Sequence, residues 1–297
     1  MNEFIGIDAS LAAYYAVDLL IIVVILAGMR KLSGAIGNVS SHDELTQKDN
    51  HAFGISIAGA TLALAIMLMG VVSGDVGMNP ANEAILMIGY GGLGLLLMWL
   101  TRKVFDHISL PKISIHKQIM KGNVAAAIVD AGNMIATAII LRAVMIWVES
   151  NSWVGLALVI AGFIISQILL LVATLYRRHV YAKRHGGHGV QDEIENGNTA
   201  LALRFSGHRI GVALAVTAAS GVVIYEPESI VAHISAWAGV AVIMMAALTV
   251  IAFLTRKAVL PHVDIAEEVD KQRNVAIGSI EAALYIAVGF LLTGLFG

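Results

Sequence analysis

An asparagine opens an apolar helix four times along this chain, each followed by alanine two residues on and by small residues at nine and thirteen. The four openings are Asn50-His51-Ala52, Asn123-Val124-Ala125, Asn198-Thr199-Ala200 and Asn274-Val275-Ala276. Gly59, Gly132, Gly207 and Ala283 stand at +9; Ala63, Ala136, Gly211 and Ala287 stand at +13. Successive asparagines lie 73, 75 and 76 residues apart, so one unit is written four times. A period of that length in apolar helices confines the chain to an assembly of helical units. Hydrophobic residues make up 58% of the 297 and charged residues 13%, too little polar surface for a soluble domain. The expected fold is an all-α integral membrane protein of four two-helix repeats.

Apolar runs of about 20 residues, enough to cross ~30 Å of hydrocarbon, can be placed eight times: Ala12–Met29, His51–Val72, Ala84–Leu100, Val124–Val148, Trp153–Tyr176, Thr199–Tyr225, Ile230–Thr255 and Val275–Phe296. Connections after the first, third, fifth and seventh runs are long and begin with basic pairs: Arg30-Lys31, Arg102-Lys103, Arg177-Arg178 and Arg256-Lys257. Connections at the opposite ends are short and carry only acids: Asp75, Glu83, Glu149, Glu226 and Glu228. Of the 19 lysines and arginines, 16 fall on one side, three lie within spans and none lies on the other. Basic connections stay in the cytoplasm, which predicts a multi-pass membrane protein with its long connections inside and both termini outside. The amino terminus lacks the basic n-region of a signal peptide, so the first apolar run is expected to be kept as a span. Trp147 and Trp153 are placed as an outer aromatic belt.

Each unit reads span, basic connection, Asn, span. Asn50, Asn123, Asn198 and Asn274 suit N-caps, whose side-chain oxygen accepts from an early helical N–H that lipid cannot satisfy. At about 100° per residue, positions +2, +9 and +13 fall within ~40° of one another. That stripe is a packing seam, because small residues let helix backbones approach closely where no hydrophobic drive joins them. With two spans per unit, all copies point the same way across the bilayer.

The units also pair as halves, 1–150 and 151–297. Asp130 and Glu281 stand at +7 in the even copies, where Ile57 and Phe205 stand in the odd ones. A four-span ancestor working as a dimer would leave this pattern. The segment Asn196-Gly197-Asn198-Thr199-Ala200-Leu201-Ala202-Leu203-Arg204-Phe205-Ser206-Gly207, with Asn274-Val275-Ala276-Ile277-Gly278, resembles the paired motifs of the bacterial inner-membrane family called domain of unknown function 350, or YjfL-type. The resemblance spans essentially the whole chain, as two tandem four-span copies. The genes of that family accompany phage-shock-type, spermidine-synthase-like and ATP-grasp genes, which implies envelope stress or polyamine handling by association. The chain departs from short members in its doubled length and in carrying His208 and Arg209 in the third unit.

Ionisable side chains within a bilayer cost about 2.5–3.5 kcal/mol each on insertion scales, so each needs a reason. Asp18, Asp130, Arg142, Arg204, His208, Arg209 and Glu281 fall inside the expected spans. Asp130, Glu281, Arg209, His208 and Asp18 form the candidate ion pathway. If the four Asn-led helices surround an axis, Asp130 and Glu281 converge with Arg209, bind a cation or carry protons, and have their affinities set by the guanidinium. The competing reading is that these charges pair and lock helix register. Arg204 is close enough to its helix start to snorkel, and Arg142 is expected to reach the far headgroups and Glu149. Asp18 has no matching acid in the other odd units.

Other patterns lead nowhere catalytic. Gly89-Tyr90-Gly91-Gly92-Leu93-Gly94 has dinucleotide-loop spacing but lies inside a span with no strand before it. Ile88-Gly89-Tyr90-Gly91 looks like part of a potassium filter, yet the other three units hold nothing similar. His179, His185 and His188 make a loose cluster without a fixed fourth ligand, so no metal or cofactor is expected. With no cysteine, thiol chemistry is absent, and no hydrolase or nucleotide motif appears, so the chain is not read as an enzyme. A net charge of −2 excludes nucleic acid as a partner. The expected partners are the bilayer, further copies of the chain, and a cytosolic stress-response protein docked on stretches preceding each Asn (His42–Lys48, Ile113–Lys121, Gln191–Glu195, Asp264–Arg273). Two functions follow: a small-ion channel or transporter for a proton, cation or polyamine, or a membrane scaffold that transports nothing.

Overall fold

A computed structural model of the chain describes residues 9–37, 40–72, 80–148 and 153–297. Among these residues there is no strand. Eight helices run 22 to 32 residues: α1 (Ala9–Gly37), α3 (His51–Val72), α4 (Pro80–Val104), α6 (Val124–Trp147), α7 (Trp153–Arg184), α9 (Thr199–Val222), α10 (Ile230–Val259) and α11 (Val275–Phe296). Five of them, α3, α6, α7 over Gly155–Arg184, α10 and α11, are long and apolar enough to cross a membrane. Helix α1 adds a shorter apolar stretch, Tyr15–Met29. The others differ in composition: Arg204, His208 and Arg209 interrupt α9.

Helices α7 and α10 extend beyond the expected Tyr176 and Thr255. Lysine and arginine favour helix and oppose the dipole at a C-terminus, so Lys183-Arg184 and Arg256-Lys257 prolong the helix past the apolar run. The stretches before the asparagines are short helices α2 (Ser41–Thr46), α5 (Ile115–Met120) and α8 (Val190–Glu195), and a π-helical turn, Ala266–Lys271. Their apolar side chains, among them Ile115, Ile119, Ile194 and Val269, are buried on the bundle.

The four Asn-led helices begin alike. The residue before each Asn is left-handed: Asp49 (φ 47°), Gly122 (φ 82°), Gly197 (φ 76°) and Arg273 (φ 56°). Glycine adopts that conformation freely, so two of these turns are relaxed and two carry strain. Each Asn Oδ1 then accepts a backbone N–H of the first turn: Phe53 for Asn50, Ala126 for Asn123, Leu201 for Asn198, and Ala276 with Ile277 for Asn274. The other end of each amide reaches sideways. Nδ2 of Asn50 donates to the Ile119 carbonyl, that of Asn123 to those of Ile194 and Glu195, and that of Asn198 to Val269.

These bonds set the helices side by side and parallel, α3 on α6, α6 on α9, α9 on α11. A Cβ on Gly59, Gly132 or Gly207 would collide with Ala131, Ser206 or Ala282 respectively, so +9 of one helix lies against +8 of the next. The +9 residue of the last helix, Ala283, is exposed and packs on no further helix among the described residues, so the expected seam ends one member short. Helices α1, α4, α7 and α10 form a second layer. In it, Gly91 lets α4 close on Ile25 and Gly94 lets it close on Met67, which accounts for the glycine-rich run. At the far end, Trp147 stacks on Trp237 at 5.9 Å, meets Tyr225 edge-on and donates to the Val223 carbonyl. The side chain of Trp153, and Glu149, fall outside the described residues.

Candidate functional site: arginine–carboxylate pockets at one end of the bundle

The row keeps α3 and α11 apart, and with them the axis on which Asp130, Glu281 and Arg209 were expected to meet. Each acid instead sits buried in its own pocket, at the end of the bundle where the Asn-led helices start.

Asp130 reaches from α6 to Ser56 on α3, whose Oγ donates at 2.6 Å. Arg102, in the last turn of α4, grips the same carboxylate with Nη2 at 2.9 Å and Nε at 3.3 Å. With Lys103, Asp106, His107, His116 and Lys117 they line a cavity of about 210 Å³. Burial, and then the Asp130 charge, push the Asp106 carboxyl up to about 6 against the lowering effect of the His116 and Ile115 N–H groups it accepts. Burial and Arg102 hold the His116 imidazole below its ordinary value.

The second half repeats the plan with more charge. Glu281 on α11 is fully buried and lies between two guanidiniums, Arg256 Nε at 2.5 Å from α10 and Arg204 Nε at 3.2 Å from α9. Arg256 also donates to Tyr285 Oη at 2.9 Å. Asp270, in the turn before α11, meets His185 Nε2 at 3.2 Å and Arg204 Nη1 at 3.8 Å. Burial raises the Asp270 carboxyl above its ordinary value, although Arg204 and His185 oppose it. The cavity here is about 340 Å³, and Arg177, Arg184, Arg204, Arg256 and His208 line it. Four guanidiniums thus stand against two carboxylates, one of them sealed behind Arg204 and Arg256.

Arg209 belongs to neither pocket. One residue beyond His208 it turns about 100° round the helix. Its Nη2 donates to Asn133 Oδ1 at 2.6 Å, its Nη1 to Thr174 Oγ1, and its guanidinium lies 4.9 Å from the Phe105 ring centre. It therefore ties α9 to α6 and α7 and does not tune the acids. His208 meets the Tyr285 ring edge-on at 4.9 Å inside the larger cavity. Asp18 is buried in α1 and lines neither pocket. Arg204 turns inward to two acids, not out to the headgroups. Arg142 is half-buried, its backbone beneath Gly70. The three histidines do not gather: His185 stacks on Tyr181 and pairs with Asp270, and no metal-competent group of three or more His or acidic side chains occurs among the described residues.

A family model described as Domain of Unknown Function (DUF350) matches residues 4–145, 78–184 and 151–296. The chain belongs to that family. No curated protein and no solved structure matches it.

In this DUF350 chain the acids were visible from sequence but their partners were not. Arg102 and Arg256 read as span-end basic residues, and since all four units carry such a pair, nothing in the spacing marked these two as partners of an acid. Ser56 and Arg204 share position +6 of the odd units, but their residue types differ.

Proposed function

We propose that the chain crosses a bacterial inner membrane eight times, as four two-helix units in one orientation, and binds a small anion at its cytoplasmic end. Five apolar helices, the lengths of α1, α4 and α9, and the one-sided lysines and arginines support this topology. The observation that carries the binding reading is the sealing of Glu281 between Arg204 and Arg256. A carboxylate already matched by two guanidiniums offers a cation little, and the excess positive charge in the larger cavity favours an anion. No reaction is part of this reading, and further copies of the chain would join at the open ends of the row, on α3 and α11.

Purified full-length chain in liposomes, given labelled phosphate and labelled rubidium, tests it. Phosphate retained or passed, and lost about tenfold in Arg204→Gln, supports anion binding. Rubidium flux abolished by Asp130→Asn with Glu281→Gln restores the cation pathway. The scaffold reading is favoured by the rigid shelf that α2, α5 and α8 form through the asparagine amides. Capture of a cytosolic stress-response protein, lost on exchanging that shelf, with neither ion moving, selects it.

A further inference from the structure

The larger cavity reaches the outer face of the bundle. In the first half α1 packs along α4. In the second half the equivalent helices, α7 and α10, each pack on α9 but do not pack along each other. The cavity lies in the gap between them, with Arg204 and His208 of α9 behind and Arg177 and Arg256 on the two flanks. Its rim is apolar and outward-facing: Tyr176 is 60% exposed, Val250 59% and Phe253 48%. Toward the far end the outward faces of the same two helices stay apolar and exposed, through Ile164, Ile168 and Val172 on α7 and Val242 and Ile243 on α10.

A cationic chamber that opens through an apolar rim, next to exposed apolar helix faces, has the polarity of an amphiphile. We infer that the gap between α7 and α10 holds an anionic phospholipid, its phosphate among Arg177, Arg204 and Arg256 and an acyl chain against the outward faces of these helices. This rests on the anion-binding reading above and names the source of the anion. Arginine suits it, because a planar fork of donors matches two phosphate oxygens at once. The first-half pocket has Ser56 where the second has Arg204, and its lining holds one guanidinium, Arg102, with Lys103 and Lys117, rather than four guanidiniums.

The test uses the full-length chain in detergent micelles doped with phosphatidylglycerol or phosphatidylcholine, with lipid retention read by native mass spectrometry. Phosphatidylglycerol is expected to be retained in preference to phosphatidylcholine, and Arg177→Gln to lower that retention about tenfold. Arg177 makes no ion pair with a carboxylate among the described residues, so this variant leaves Glu281 and Asp270 matched and foldable. Lys257→Gln, which removes one exposed charge next to Arg256, is expected to change retention little. Equal losses in the two variants, or equal retention of the two lipids, overturn the proposal in favour of bulk surface attraction or annular lipid. Inorganic phosphate that binds in pure detergent, is lost in Arg177→Gln and is not displaced by phosphatidylglycerol, overturns the lipid while leaving the anion reading intact. Binding of neither overturns both.

Discussion

The side-chain amide of Asn198 donates to the Val269 carbonyl at 3.2 Å while its oxygen caps α9 through the Leu201 N–H at 3.0 Å. One residue thus fixes both a helix start and the position of the next helix. Asn274 caps α11 in the same way, but its amide donates to Glu268, in its own turn.

Asn198→Ala should therefore cost more than Asn274→Ala. Loss of a cap is worth about 1 kcal/mol and loss of a further buried hydrogen bond about another 1 kcal/mol. Thermal unfolding of the two variants in detergent measures the difference. Equal losses would show that the sideways bonds contribute nothing.

The seam makes a sharper contrast. Gly207→Ala drives a Cβ into the Ala282 backbone, which cannot yield as a side chain can, and should destabilise by about 1–3 kcal/mol. Gly239→Ala on α10 meets nothing within 4 Å and should be neutral or gain about 0.5–1 kcal/mol from helix propensity. The same unfolding measurement reads both.

Much of this was written in the chain at fixed spacing. Helices α3 and α11 begin and end where the apolar runs predict, because an Asn start and an apolar length are local properties. The caps and the Gly59, Gly132 and Gly207 seam follow from position on a helix wheel. The partners of Asp130 and Glu281 do not. Whether an acid at +7 meets Arg209, one turn on, or Arg102 and Arg256, on neighbouring helices, depends on how helices rotate and which lie adjacent. Row or ring is equally invisible from one period, and it decides that the two acids occupy separate pockets.

Asp130 and Arg102 should behave as a buried pair. Asp130→Asn leaves the Arg102 guanidinium unmatched beside Ser56 and should cost about 3 kcal/mol. Asp130→Leu combined with Arg102→Met should recover most of that loss, since a desolvated pair replaced by apolar side chains is often near neutral. A double variant no better than the single would show that Asp130 is held by something other than this arginine.

Asp106 gives a pH signature of defined sign. Its folded value of about 6 lies above the unfolded value of 3.8, so the folded chain holds the extra proton between them. Its contribution is favourable below about pH 4, fades as pH rises toward 6, and is flat above. Asp106→Asn should remove that slope and raise Tm at pH 7.5 by about 2–4 °C. An unchanged slope between pH 4 and 6 would place the titration elsewhere.

The proposed topology starts the four parallel helices at the cytoplasmic face, with both arginine–carboxylate pockets at that end. The chain has no cysteine, so single substitutions can be read without background. His188→Cys lies in the connection between α7 and α8 and Glu228→Cys in the turn between α9 and α10, both exposed. Labelling intact spheroplasts with a membrane-impermeant maleimide should modify position 228 and leave 188 protected until the membrane is opened. Modification of both from outside, or of 188 alone, would contradict the placement of the pockets and the eight-span topology together.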